Sequence, residues 1–172
     1  GKIDLIVMGT VGTTGLQETF IGSTTEKVVR HSSVPVFVVR TAPKVTAIKK
    51  ILLPTALAFD QTNFINKVKE LQEFMHASLE VLLINTPYYF MRDADAKEAL
   101  EEFAAHYKLS NYNLHFRNYR NEEEGITDFS NEVDLIAMAT HARKGLAHLF
   151  NGSITENVVN HIECPIWTYC LN

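Results

Sequence analysis

Two rhythms alternate along the chain. Short, nearly unbroken apolar runs such as K-I-L-L-P at 50–54, E-V-L-L-I-N at 80–85 and V-F-V-V at 36–39 have the length of strands buried on both faces. Between them, apolar residues recur at helical spacing, as in Phe64, Ile65, Val68, Leu71, Phe74 and Met75. The pattern predicts strands at 3–8, 36–40, 50–54, 80–85, 112–119, 134–138 and 166–171. It predicts helices starting at Ser23 and spanning 62–78, 93–107, 125–131 and 153–162. Ala94, Ala99, Leu100, Phe103 and Ala104 form the expected inner face of the helix at 93–107. Strands alternating with helices imply an open α/β fold, a Rossmann-like parallel sheet covered on both faces.

The chain also repeats itself. Residues 3–39 align without a gap to 133–169, and 16 of the 37 pairs are identical. D-L-I-V-M-G-T matches D-L-I-A-M-A-T, and T-E-K-V-V-R-H matches T-E-N-V-V-N-H. Nothing before the first copy corresponds to residues 49–132. The expected organisation is therefore a partial strand-helix-strand unit at 1–41, a linker at 42–48 and a complete five-stranded unit at 49–172.

The segment after the first strand is dense in small residues: Gly9, Thr10, Gly12, Gly15, Gly22, Ser23 and Thr24. Ser23 and Glu26 make a capping box, which Ser153 and Glu156 repeat. Free amides at a helix start attract anions, and ligands of open α/β sheets sit at the carboxyl ends of strands. Glycine there permits a positive φ and a close backbone approach. The loop reads either as a phosphate cradle or as a long connection ending in a capped helix.

The spacing G9-x2-G12-x9-G22-S23, after D-L-I-V-M and before V-P-V-F-V-V, resembles the nucleotide-binding signature of the universal stress protein family. That resemblance implies an adenine nucleotide across the strand ends. Its ribose would be held by an acid after the unit's first strand, and its phosphates by Gly9, Gly12, Gly22 and Ser23, with Thr10 and Thr24 beside them. The second copy departs from the pattern. Ala139 and Ala142 replace two glycines, leaving Gly152 and Ser153, and Ala56 stands where the acid is expected. Asp60, four residues later, is not a substitute. The intact loop and the complete unit thus lie in different halves. ATP or a related adenine nucleotide is expected to bind a longer parent protein, and this chain weakly or not at all.

Composition narrows the partners. The net charge of −4, without basic blocks, argues against a nucleic-acid surface. No apolar run is long enough for a membrane span, and two cysteines form no disulfide framework, so a cytoplasmic setting is expected. His141, Arg143, Lys144 and His148 form a small basic group that reads as a solvated loop. His31 and His161 read as helix ends, and His161 with Cys164 is too sparse for zinc. Trp167 and Tyr169 share one face of the last strand, in the core or at an interface. The apolar strands 36–40 and 166–171 would both be sheet edges. They are expected to pair, within one chain or between two, giving a homo-oligomer in which 3–8 offers a further edge. The function expected is non-catalytic nucleotide-linked stress signalling. A nucleotide-independent dimerisation module and a slow ATPase are the alternatives.

Overall fold

The computed structural model describes residues 3–9, 23–39, 48–141, 162 and 164–171. The elements run β1 (Ile6–Gly9), α1 (Ser23–His31), β2 (Val36–Val39), β3 (Lys50–Thr55), α2 (Thr62–Met75), β4 (Ser78–Asn85), α3 (Asp93–His106), β5 (Tyr112–Asn118), α4 (Glu122–Phe129), β6 (Leu135–His141) and β7 (Ile166–Leu171). All of the predicted helix at 153–162 but its last residue lies outside the described residues, as does nearly all of the linker.

All seven strands join one sheet in the order β1-β2-β7-β6-β3-β4-β5. Strands β7-β6-β3-β4-β5 are the expected five-stranded parallel sheet. β2 extends it by pairing antiparallel with β7, and β1 follows parallel to β2. The pairing expected of the two apolar edges thus falls inside the chain. It places Val36 opposite Thr168, Phe37 opposite Trp167 and Val38 opposite Ile166. Because Phe37 and Trp167 are equivalent positions of the repeat, this seam is symmetric about that pair. The repeated halves also share their register: Ile6 faces Val36, and Ile136 faces Ile166. The amide of Ile6 donates to Pro35 and that of Ile136 to Pro165, each at 3.0 Å.

Strand alternation divides the core into two layers. Leu79, Val81 and Leu83 of β4 pack in one layer with Phe64, Ile65 and Val68 of α2 and Leu100 and Phe103 of α3. Leu82 and Ile84 pack in the other with Val29 of α1 and Ile126 and Phe129 of α4. Gly125 lets α4 press onto the sheet. A Cβ there would lie 2.7 Å from Ile84 Cδ1 and 2.8 Å from a ring carbon of Tyr119.

Several boundaries differ from the sequence pattern for local reasons. α2 stops at Met75 because His76 adopts a left-handed conformation (φ 50°), and the amides of His76 and Ala77 turn back to the Glu73 and Gln72 carbonyls. Phe74, although at helical spacing with the buried residues of α2, is 76% exposed. In α3 the buried alanine of the first turn is Ala96, while Ala94 is exposed. α4 begins three residues before the predicted start because Asn121 caps it, its side chain accepting the Glu124 amide at 2.9 Å.

Candidate functional site at the strand ends

At one place the carboxyl end of a strand meets the amino end of a helix. Gly9 closes β1, opposite Val39. The buried Thr25 of α1 donates its hydroxyl to the Gly9 carbonyl at 3.3 Å. Ser23 therefore opens its helix close to the end of β1, with Thr24 exposed beside it. A positive φ is not what Gly9 supplies, since its backbone lies outside the left-handed region. An added Cβ would meet no atom within 4 Å, so the described residues place no steric demand for glycine at this position. Thr10, Gly12, Gly22, Gly152 and Ser153 lie outside the described residues, as do Ala142, Arg143, Lys144 and His148.

A second feature lies at the ends of β3 and β4. A pocket of about 460 Å³ opens there, bounded by Ala56 and Leu57 after β3, Ile84 of β4, the segment Tyr89-Phe90-Met91, and Glu122 of α4. Ala56 thus sits at a ligand-sized cavity with a methyl group where the resemblance implies an acid, and Asp60 is not among the lining residues. Leu57 is held in a left-handed conformation (φ 61°), its amide donating to Thr55 Oγ1 at 2.9 Å. Tyr107 anchors the following turn. Its hydroxyl donates to the Ala58 carbonyl at 2.9 Å and accepts the Gln61 amide at 3.1 Å.

The opposite wall is clamped by Asn85, a buried amide at the end of β4. Its Oδ1 accepts the Met91 amide at 2.7 Å, and its Nδ2 donates to Asn118 Oδ1 at 2.7 Å. The chain between doubles back on itself, with Thr86 bridged to Tyr89. This wall was missed in the sequence reading, although three successive aromatics after a strand, Tyr88-Tyr89-Phe90, are a legible signal. All three are exposed.

Glu80 was also missed. It is a buried carboxylate in an apolar strand, on the sheet face that carries α4. Its oxygens accept from His115 Nε2 at 2.7 Å, Ser78 Oγ at 2.8 Å and Asn113 Nδ2 at 3.1 Å. Burial alone raises its pKa. The three hydrogen bonds, with His115 first among them, outweigh that and hold the carboxyl below its ordinary range. Burial pushes the Cys164 thiol up to about 12, so it stays protonated near neutrality. Trp167 is a core residue, stacked between Phe64 and Tyr169 with ring centroids 6.3 Å from each. Among the described residues, no three His, Cys, Asp or Glu side chains form a group able to hold a metal ion.

Residues 1–40 and 47–169 match the universal stress protein family. The chain belongs to that family. A universal stress protein of Methanocaldococcus jannaschii is 49% identical over 43 residues, a stretch that is 25% of either protein. A functionally unknown Pseudomonas aeruginosa protein shares the fold at a TM-score of 0.72 and 20% identity, over 96% of this chain and 62% of its own. The present universal stress protein thus spans less than two thirds of the length of either. An Archaeoglobus fulgidus universal stress protein, solved in complex with dAMP, aligns at a TM-score of 0.51 and 16% identity over 74% of this chain and 99% of its own. No helix among the described residues is long and apolar enough to cross a membrane.

Proposed function

We propose that this universal stress protein is a non-catalytic, cytoplasmic scaffold for adenine-nucleotide-linked stress signalling. Nucleotide phosphates rest on the loop that runs from Gly9 to Thr24. One observation carries the reading: the open space at Gly9 lies where β1 ends beside the start of α1, so strand carbonyl end and helix amides converge on one point. The complex of the Archaeoglobus relative with dAMP supports the adenine nucleotide as ligand.

The molecule divides into a partial unit at 1–41, a linker at 42–48 and a complete unit at 49–172. The shared strand registers support this division. So does the Archaeoglobus neighbour, whose near-full length covers 74% of this chain, close to the 124 of 172 residues in the second unit. Ala56 and Ala139 make the second unit a poor nucleotide site.

β1 is the outermost strand of the sheet among the described residues, which supports weak binding in this chain. In a nuclear magnetic resonance titration with ATP, the amides of Gly9 and Thr24 should shift without saturating while that of Ala56 stays still. Micromolar saturation, or shifts centred on Ala56, would overturn the assignment.

Self-association through β1 accompanies this reading. Ile3, Leu5 and Val7 are exposed along the open edge, Val7 by 63%. Light scattering should find a dimer at high concentration that Val7→Lys converts to monomer. A wild-type monomer at every concentration would rule this contact out.

A further inference from the structure

We infer that the outer edge of β1 is an acceptor site for an extended polypeptide segment, which joins the sheet parallel to β1 and is anchored by the carboxylate of Asp4. The inference is independent of the nucleotide reading. It also goes beyond the association of two copies, because it fixes the direction of the incoming strand, its register and the side chain that captures it.

The internal repeat supplies the observation. β6 is the counterpart of β1, and both are held on their inner side in the same way, Ile6 donating to Pro35 and Ile136 to Pro165. On its outer side β6 carries β3, which runs parallel with Ile51 opposite Leu135 and Leu52 opposite Ile136. Asp134, just before β6, fastens that neighbour. Its Oδ2 accepts the amides of Lys49 at 2.8 Å and Lys50 at 2.9 Å, and its own amide donates to the Lys50 carbonyl at 3.0 Å. An ionised acceptor strengthens both bonds, so one carboxylate captures the start of a strand and sets its register.

Asp4 stands at the same place before β1 and is exposed. Leu5 and Val7, which match the fully buried Leu135 and Ala137, are exposed as well, Leu5 by 45%. A groove of about 680 Å³ runs beside this edge, with Ile3 and Ile6 on one side and Lys27, Val28 and His31 of α1 on the other. In the second unit the corresponding layer takes Leu52 of β3, buried together with Ile136. An open edge strand beside a helix-walled groove is a recurrent seat for an added strand: main-chain bonds give affinity, and the groove takes alternate side chains. The occupant selected by this geometry is a segment of the β3 type. Two amides that Asp4 can accept lead into a short run apolar on both faces, and an aliphatic side chain at the position of Leu52 fills the groove.

The probe is the peptide I-K-K-I-L-L-P-T-A, the sequence of residues 48–56, added to the intact chain below the concentration at which copies associate. Nuclear magnetic resonance should show saturable shifts at the amides of Leu5, Ile6 and Val7. A nitroxide on the peptide's amino terminus should broaden Leu5 and spare Gly9, as a parallel strand requires. Asp4→Ala should weaken binding by about tenfold, and so should N-methylation of the two lysine amides of the peptide. Both changes together should cost little more than either alone, because they remove the same bonds. No saturable binding, broadening of Gly9 in place of Leu5, or Asp4→Ala binding as tightly as wild type would each overturn the proposal. Should Asp4→Ala fail to fold by circular dichroism, the methylated peptide decides on the wild-type chain, and undiminished binding overturns it. The titration is read on a monomer without nucleotide, so its failure is distinct from failure of the dimer or of the ATP site.

Discussion

Replacing Trp167 by alanine is expected to cost about 3–5 kcal/mol of stability, the usual range for emptying a large aromatic from a packed core. The side chain is 3% exposed. It lies under α2 against Phe64, stacks on Tyr169, and belongs to the residue pair at the centre of the β2–β7 seam. The loss therefore opens a cavity at the junction that ties β1 and β2 to the rest of the sheet. Urea unfolding followed by circular dichroism measures it, because the substitution removes the chain's single tryptophan and with it the natural fluorescence signal. Trp167→Phe places the same ring type on both sides of the seam and should cost less than half as much. A Trp167→Ala variant within about 1 kcal/mol of wild type would show that the seam does not hold the sheet together.

Glu80→Ala is expected to cost about 2–3 kcal/mol, because it strips the acceptor from three donors while His115 and Ser78 stay partly covered. The carboxylate also gives the fold a pH dependence of known sign. Its pKa in the folded state is lowered from 4.5, so the folded protein holds the ionised form more tightly than the unfolded chain does. That stabilisation is complete above the unfolded value and is lost as pH falls through the lower, folded one. Wild-type stability should therefore decline as pH falls below about 4.5, while Glu80→Gln should lack this part of the decline. Parallel pH curves for the two proteins would remove Glu80 from the account.

What could be read in advance follows from what is local. Runs such as K-I-L-L-P and V-F-V-V lie within one element, and both-sided burial leaves them no polar residue to confuse the pattern. The seam between β2 and β7 was legible because two apolar edges of one repeat invite each other. Errors arose where one residue's backbone or a distant partner decides. The end of α2 is set by the left-handed His76, which is not a glycine and so gave no warning. Phe74 falls within the helical period, yet the layer beneath α2 is already filled by Phe64, Ile65 and Val68. Glu80 in an apolar strand makes sense once His115, 35 positions later, is seen one strand away. The pocket depends on four segments that meet in space, so no single window contains it. Of the expected phosphate loop, Gly9 and the start of α1 lie side by side, and Gly9 has neither a positive φ nor a neighbour that an added Cβ would meet.

The symmetric seam has a further consequence. Where two identical subunits meet on an axis, every mutation appears on both sides at once, and a change that helps one side must be tolerated by the other. Here the two sides are encoded separately, so Phe37 and Trp167 already differ at the same central position. Away from the seam the two halves differ likewise, with Ala139 and Ala142 in one where the other has Gly9 and Gly12. A self-pairing built from two separately encoded sequences can thus carry a change on one side that a symmetric dimer would have to accept on both.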